Sequence, residues 1–98
     1  MKQKDKGKRG EREFAEVCRN HGFEVRRGQQ YSGIEGKDVV GLDGFHVEVK
    51  RQERVRIYDW MKQAIEDADQ EVPVVAMKCN RKPWLMVIRV EDFFRLIK

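Results

Sequence analysis

Residues 45–50, Phe45-His46-Val47-Glu48-Val49-Lys50, alternate apolar and polar side chains without a break, directly after the turn-forming Leu42-Asp43-Gly44. A period of two makes this a strand, with Phe45, Val47 and Val49 on one face and His46, Glu48 and Lys50 on the other. Such a strand needs neighbours, and the chain supplies them in alternation with helical stretches. Phe14, Ala15, Val17 and Cys18 recur at helical spacing over 11–21, and Asn20 to Gly22 makes a fitting stop. Alternation over 23–27 predicts a first strand. Val39-Val40, opened by Asp38, predicts a short second one paired with 45–50 through a hairpin. Ile57, Met61, Ala64, Ile65 and Ala68 mark a second helix. Residues 72–77 form a nearly unbroken apolar run, as a buried strand allows. A fifth strand is expected over 84–90 and a closing helix over 91–98, with Phe93, Phe94 and Ile97 inward. The order α-β-β-β-α-β-β-α implies an α/β fold, a mixed sheet flanked by helices.

With 98 residues, the chain has room for one small core. Residues 2–10 are basic and lack apolar side chains, so 1–10 reads as a flexible arm and 11–98 as a single domain. No apolar run approaches the ~20 residues of a membrane span. Two cysteines cannot staple a framework, which makes a reducing cytoplasm the default compartment. Cys18, His21, His46 and Cys79 lack the close pairs of a zinc site. Twenty-one Lys and Arg against seventeen Asp and Glu leave a net charge of +4, too modest to identify a nucleic-acid binder by itself. The distribution says more, because basic residues cluster at 2–12, 26–27, 50–56 and 81–82.

The polar face of the 45–50 strand carries the chemistry. Glu48 and Lys50 project the same way, ~6–7 Å apart, and the expected hairpin brings Asp38 beside them. Two such carboxylates repel unless a cation lies between them. A hard divalent ion held by few carboxylates, water and phosphate oxygens fits Mg2+, with Mn2+ as a substitute. Lys50 beside it can orient water or offset charge on a phosphoryl transition state. The chain holds two acid-x-Lys triplets, no more than chance supplies. Only Glu48-Val49-Lys50 sits in an alternating strand behind a Gly turn; Glu35-Gly36-Lys37 lies in a polar Gly-rich loop. An exposed ion pair is the ordinary alternative. Glu11 stands one turn before Phe14 and Ala15, on the sheet-facing side of its helix. It either favours the helix dipole or adds a third acid to the site.

These residues resemble a known family. Lys6-Gly7, Glu11-Arg12-Glu13, 21–27 (His-Gly-Phe-Glu-Val-Arg-Arg), Asp38-Val39-Val40 and Glu48-Val49-Lys50 together are similar to the archaeal and phage-type Holliday junction resolvases. Those belong to the PD-(D/E)xK nuclease superfamily, and the resemblance covers 6 to about 90 in order. It implies a restriction-endonuclease-like fold, with Glu11, Asp38 and Glu48 as metal-site acids, Lys50 as the catalytic lysine and the Val49 carbonyl as a further ligand. It also implies that Arg12 and Arg27 contact DNA phosphates. A homodimer cutting opposite strands of a four-way junction, leaving 5′-phosphates, follows from the same resemblance. Lys37 stands where the superfamily name has proline. Ser32 is the candidate for the family's functional serine, and Gln63 for a glutamine that contacts the site in related nucleases.

His46 shares the face of Glu48 and Lys50 and is a further candidate site contact. Lys8, Arg9, Arg81 and Lys82 are candidate phosphate contacts, and Tyr31, Trp60 and Trp84 could stack on unpaired bases, although core packing suits Trp84 better. The expectation is therefore a magnesium-dependent endonuclease of branched double-stranded DNA, acting in the cytoplasm of a prokaryotic or phage-infected cell. Its rivals are a virus-type replication-repair or restriction-like nuclease of the same superfamily, and a branched-DNA-binding protein without catalysis.

Overall fold

A computed structural model describes residues 2–28 and 38–98, with side chains described from residue 7. The elements are α1 (Lys2–Asn20), β1 (Arg26–Arg27), β2 (Val39–Val40), β3 (Phe45–Arg51), α2 (Ile57–Ala68), β4 (Val72–Lys78), β5 (Leu85–Ile88) and α3 (Val90–Ile97). Their order is the one the sequence pattern predicts. β3, β4 and β5 form one ladder in that order, β3 parallel to β4 and β4 antiparallel to β5. The apolar run of β4 lies at its centre, and α2 is the crossover that a parallel β3–β4 pair requires.

The alternation of β3 and β4 sorts the core into two layers. Val47, Val49, Val74 and Ala76 pack with Phe14, Ala15 and Cys18 of α1, together with Val25 and Val39. Val75 and Met77 pack with Trp60, Met61 and Ala64 of α2. His46, Glu48 and Lys50 consequently face α2. That face is covered rather than open, with His46 2% and Glu48 3% exposed, because α2 lies across it. Trp60, considered as a base-stacking residue, is core at 5% exposure, whereas Ile65 is 41% exposed. Trp84 packs on Phe14 with ring centroids 5.3 Å apart.

Four expectations need correction. First, β2 pairs antiparallel with β1, Arg26 opposite Val40, and among the described residues it forms no ladder with β3. Gly41 explains the choice. Its backbone, at φ +125°, passes so close to Glu24 that a Cβ would strike the Glu24 carbonyl oxygen at 2.2 Å, which ties β2 to β1. Second, α1 begins at Lys2, so the basic residues 2–10 are helical and continuous with 11–20. Lys, Arg, Gln and Glu are good helix formers, and apolar spacing cannot reveal a helical segment without an apolar stripe. A Cβ at Gly10 would lie 2.6 Å from that of Arg51, so α1 crosses β3 at a position with no room for a side chain.

Third, α3 turns its aromatics outward, with Phe93, Phe94 and Ile97 at 46%, 59% and 63% exposure. Its buried residue is Asp92, held by Arg89 Nε at 2.8 Å and Arg95 Nη1 at 3.3 Å. Both arginines lie within three residues of Asp92, so the buried carboxylate is paired inside the α3 segment itself. Fourth, the first and fifth strands are shorter than expected, covering 26–27 and 85–88. Ser32 and Tyr31, in the Gly-rich loop predicted from sequence, lie outside the described residues. No helix among the described residues is long and apolar enough to cross a membrane.

Candidate active site

β3 pairs with β4 along one edge, and its other edge is open within that ladder. At the C-terminal end of this open edge a cleft of about 410 Å³ is lined by Gly7 and Glu11 of α1, Asp38, Glu48 through Gln52, and Gln63 of α2. Three segments distant in sequence thus bring their acids together. Asp38 arrives by a side-chain tether in place of the expected hairpin ladder, its Oδ2 accepting the Val49 backbone N–H at 2.7 Å. The N–H and C=O of one strand residue point to the same side, so the Val49 carbonyl also faces this edge.

Glu11 is 15% exposed at its side chain and accepts a hydrogen bond from Arg27 Nε at 2.8 Å. Burial, and then the charge of Asp38, push the Glu11 carboxyl above its ordinary value, against the pull of Arg27. Glu48 behaves alike. Burial raises it first and Asp38 second, while the His46 hydrogen bond and the Lys50 charge oppose them. Lys50 Nζ donates to Gln63 Oε1 at 3.2 Å, so α2 sets where the ammonium rests. His46 Nε2 lies 3.2 Å from Glu48 Oε1.

This donor set suits a hard divalent cation. Three carboxylates share one polar cleft, and two of them resist ionisation despite adjacent Arg27 and Lys50. A cation with oxygen preference among them would relieve that repulsion, and Mg2+ or Mn2+ has that preference. A second grouping adjoins the first. Ligand atoms of His46, Glu48 and Asp67 all lie within 4.8 Å of one another.

Glu11, Asp38, Glu48, Val49, Lys50 and Gln63 are therefore brought together, with His46 bonded to Glu48 and Arg27 to Glu11. Arg12, Arg9, Arg81 and Lys82 are exposed and Lys8 is half-buried; none of the five lines the cleft. Arg81 and Lys82 occupy the turn after β4, Arg81 with a φ of +64°. Sequence reasoning missed Asp67, Gly7, Arg51 and Gln52. Asp67 had a signal, because it follows Gln63 by one helical turn and shares its face. Gln52 had one too, two residues past Lys50 in an alternating strand. Arg51 points elsewhere, to Glu13 at 3.0 Å and Asn80 at 2.9 Å.

Comparison with known proteins agrees with this geometry. No curated protein sequence matches the chain. Among solved structures it is similar to that of Hjc from Archaeoglobus fulgidus, a Holliday junction resolvase of an archaeal hyperthermophile. The TM-score is 0.63 at 25% identity, covering 85% of this chain and 72% of that one. The fold is thus the mixed, helix-flanked sheet of a PD-(D/E)xK resolvase. The family model of phage PDDEXK endonucleases matches residues 2–98. By that match, which takes in every acid of the cleft and Lys50, the chain belongs to the phage PDDEXK endonuclease family.

Proposed function

We propose that this endonuclease is divalent-metal-dependent and resolves four-way DNA junctions by phosphodiester hydrolysis. The observation that carries the reading is the Asp38–Val49 hydrogen bond, which brings a carboxylate from outside β3 up to the Glu48–Lys50 pair. Glu11, Asp38 and Glu48, with the Val49 carbonyl, are the residues that would hold Mg2+, or Mn2+ in its place. Such an ion, when bound, lowers the pKa of a water and offsets phosphate charge. Lys50, steadied by Gln63, orients the attacking water and faces the charge that builds on the scissile phosphate. Arg12, Arg27, Lys8, Arg9, Arg81 and Lys82 contribute phosphate contacts along the duplex arms. Branched DNA is the preferred substrate because the similar archaeal protein is named a Holliday junction resolvase. The reaction belongs, in this reading, to the cytoplasm of a prokaryotic or phage-infected cell.

The active form in this reading is a homodimer, since paired cuts on opposite strands need two sites related by symmetry. The exposed face of α3 is the one that a second copy would cover. Val90, Phe94 and Ile97, which share one face of α3 at helical spacing, are 59–70% exposed there, apolar area that is costly to leave in water.

A synthetic four-way junction, a flap and a linear duplex incubated at equal salt, with and without Mg2+, test the proposal. Mg2+-dependent cutting concentrated on the junction is expected. Preference for the flap or the linear duplex would reassign the substrate, and binding without cleavage would leave a junction-binding protein.

A further inference from the structure

The buried contact between His46 and Glu48 has a use beyond filling the α2-facing layer. His46 Nε2 lies 3.2 Å from Glu48 Oε1, within hydrogen-bond reach, with 3% and 4% of the two side chains exposed. The spacing is what a strand allows, because residues two apart project together and an imidazole two positions before a glutamate reaches its carboxylate. Lys50 stands on the opposite side of Glu48 along the strand, and Glu48 itself lines the cleft. One carboxylate oxygen is therefore occupied from the Phe45 end of β3, while the other is left for the cleft. The carboxylate of exposed Asp67 falls in the same close grouping as His46 and Glu48.

We propose that His46 is a positioning residue that fixes the Glu48 carboxylate in its metal-binding orientation. This rests on the metal-site reading above. An unrestrained glutamate samples several rotamers and loses that freedom when it ligates an ion. A hydrogen bond from the ring restrains it beforehand, so less of that freedom is lost when the ion binds. Partners of metal ligands that act in this way are commonly worth ~10–100-fold in metal affinity.

The test is Mn2+ affinity, measured as free Mn2+ by electron paramagnetic resonance, on wild type, His46→Leu and His46→Gln, with circular dichroism to establish folding. Leucine removes the donor, and glutamine places an amide nitrogen near the position of Nε2. His46→Leu is expected to bind ~10–100-fold more weakly and His46→Gln to recover most of the loss. Wild-type affinity in folded His46→Leu, or a folded His46→Gln as weak as His46→Leu, would overturn the proposal. Imidazole 15N shifts of the metal-free wild type decide the contact separately, even if the leucine variant fails to fold. A proton on Nε2 is expected, and a ring protonated on Nδ1 alone overturns it. Wild type that binds no Mn2+ but carries the Nε2 proton would remove the metal-site reading and the proposed purpose of His46 with it, leaving the contact intact.

Discussion

Asp38 Oδ2 accepts the backbone N–H of Val49 at 2.7 Å, so one side chain both satisfies a donor on the open edge of β3 and brings a carboxylate close enough to act on Glu48. Structural support and chemistry are joined in that single contact. Different substitutions separate them.

Asp38→Asn keeps an oxygen that can accept the Val49 N–H but removes the charge. It is expected to remain folded while losing metal-dependent cleavage. Asp38→Ala also orphans the N–H and is expected to cost about 1–3 kcal/mol of stability. Thermal melting beside a cleavage assay distinguishes them; equal stability of the two variants would argue that the tether carries no weight.

Lys50→Ala should slow cleavage by about 10²–10³-fold with junction affinity nearly unchanged, since the ammonium serves the reacting phosphate. Gln63→Leu frees Lys50 without deleting it, and its loss should be smaller, on the order of tenfold. Single-turnover rates and gel-shift affinities measured on the same preparations read both effects. Undiminished cutting by Lys50→Ala would remove that residue from the mechanism.

Glu11 and Glu48 both titrate above the ordinary carboxylate value of 4.5, burial being the first cause and Asp38 the second. The native metal-free chain therefore retains protons that the unfolded chain releases. Their contribution to stability is full below about pH 4.5 and is lost as pH rises through the raised values. Glu48→Gln should melt higher than wild type at pH 7 without metal, by ~0.5–2 kcal/mol, and should gain less from added Mg2+, which stabilises only a state that binds it. Melting curves across pH, with and without Mg2+, check the sign.

Phe94→Glu introduces a charge into the exposed apolar face of α3 and leaves both core layers untouched. Sedimentation should show wild type as a dimer and the variant as a monomer with the same circular dichroism. A monomeric wild type would refute the dimer, and a dimeric variant would move the interface elsewhere.

Much of this protein could be read from local pattern. The alternation over 45–50 placed Glu48 and Lys50 together, helical spacing found α2 within a residue of its ends, and the apolar run of 72–77 marked a central strand. Each is a property of one element, and the backbone period alone decides which side chains share a face. Tertiary structure decided which neighbour covers each face. That choice buried His46 and Glu48 beneath α2, brought Asp67 to them, sent β2 to β1 through the close approach at Gly41, and turned the aromatics of α3 outward. Periodicity along a chain carries no information about the partner across a packing interface, because the partner is chosen by long-range fit of shape and charge. The acids and the lysine were therefore legible as letters, and their meeting point became visible only in the fold.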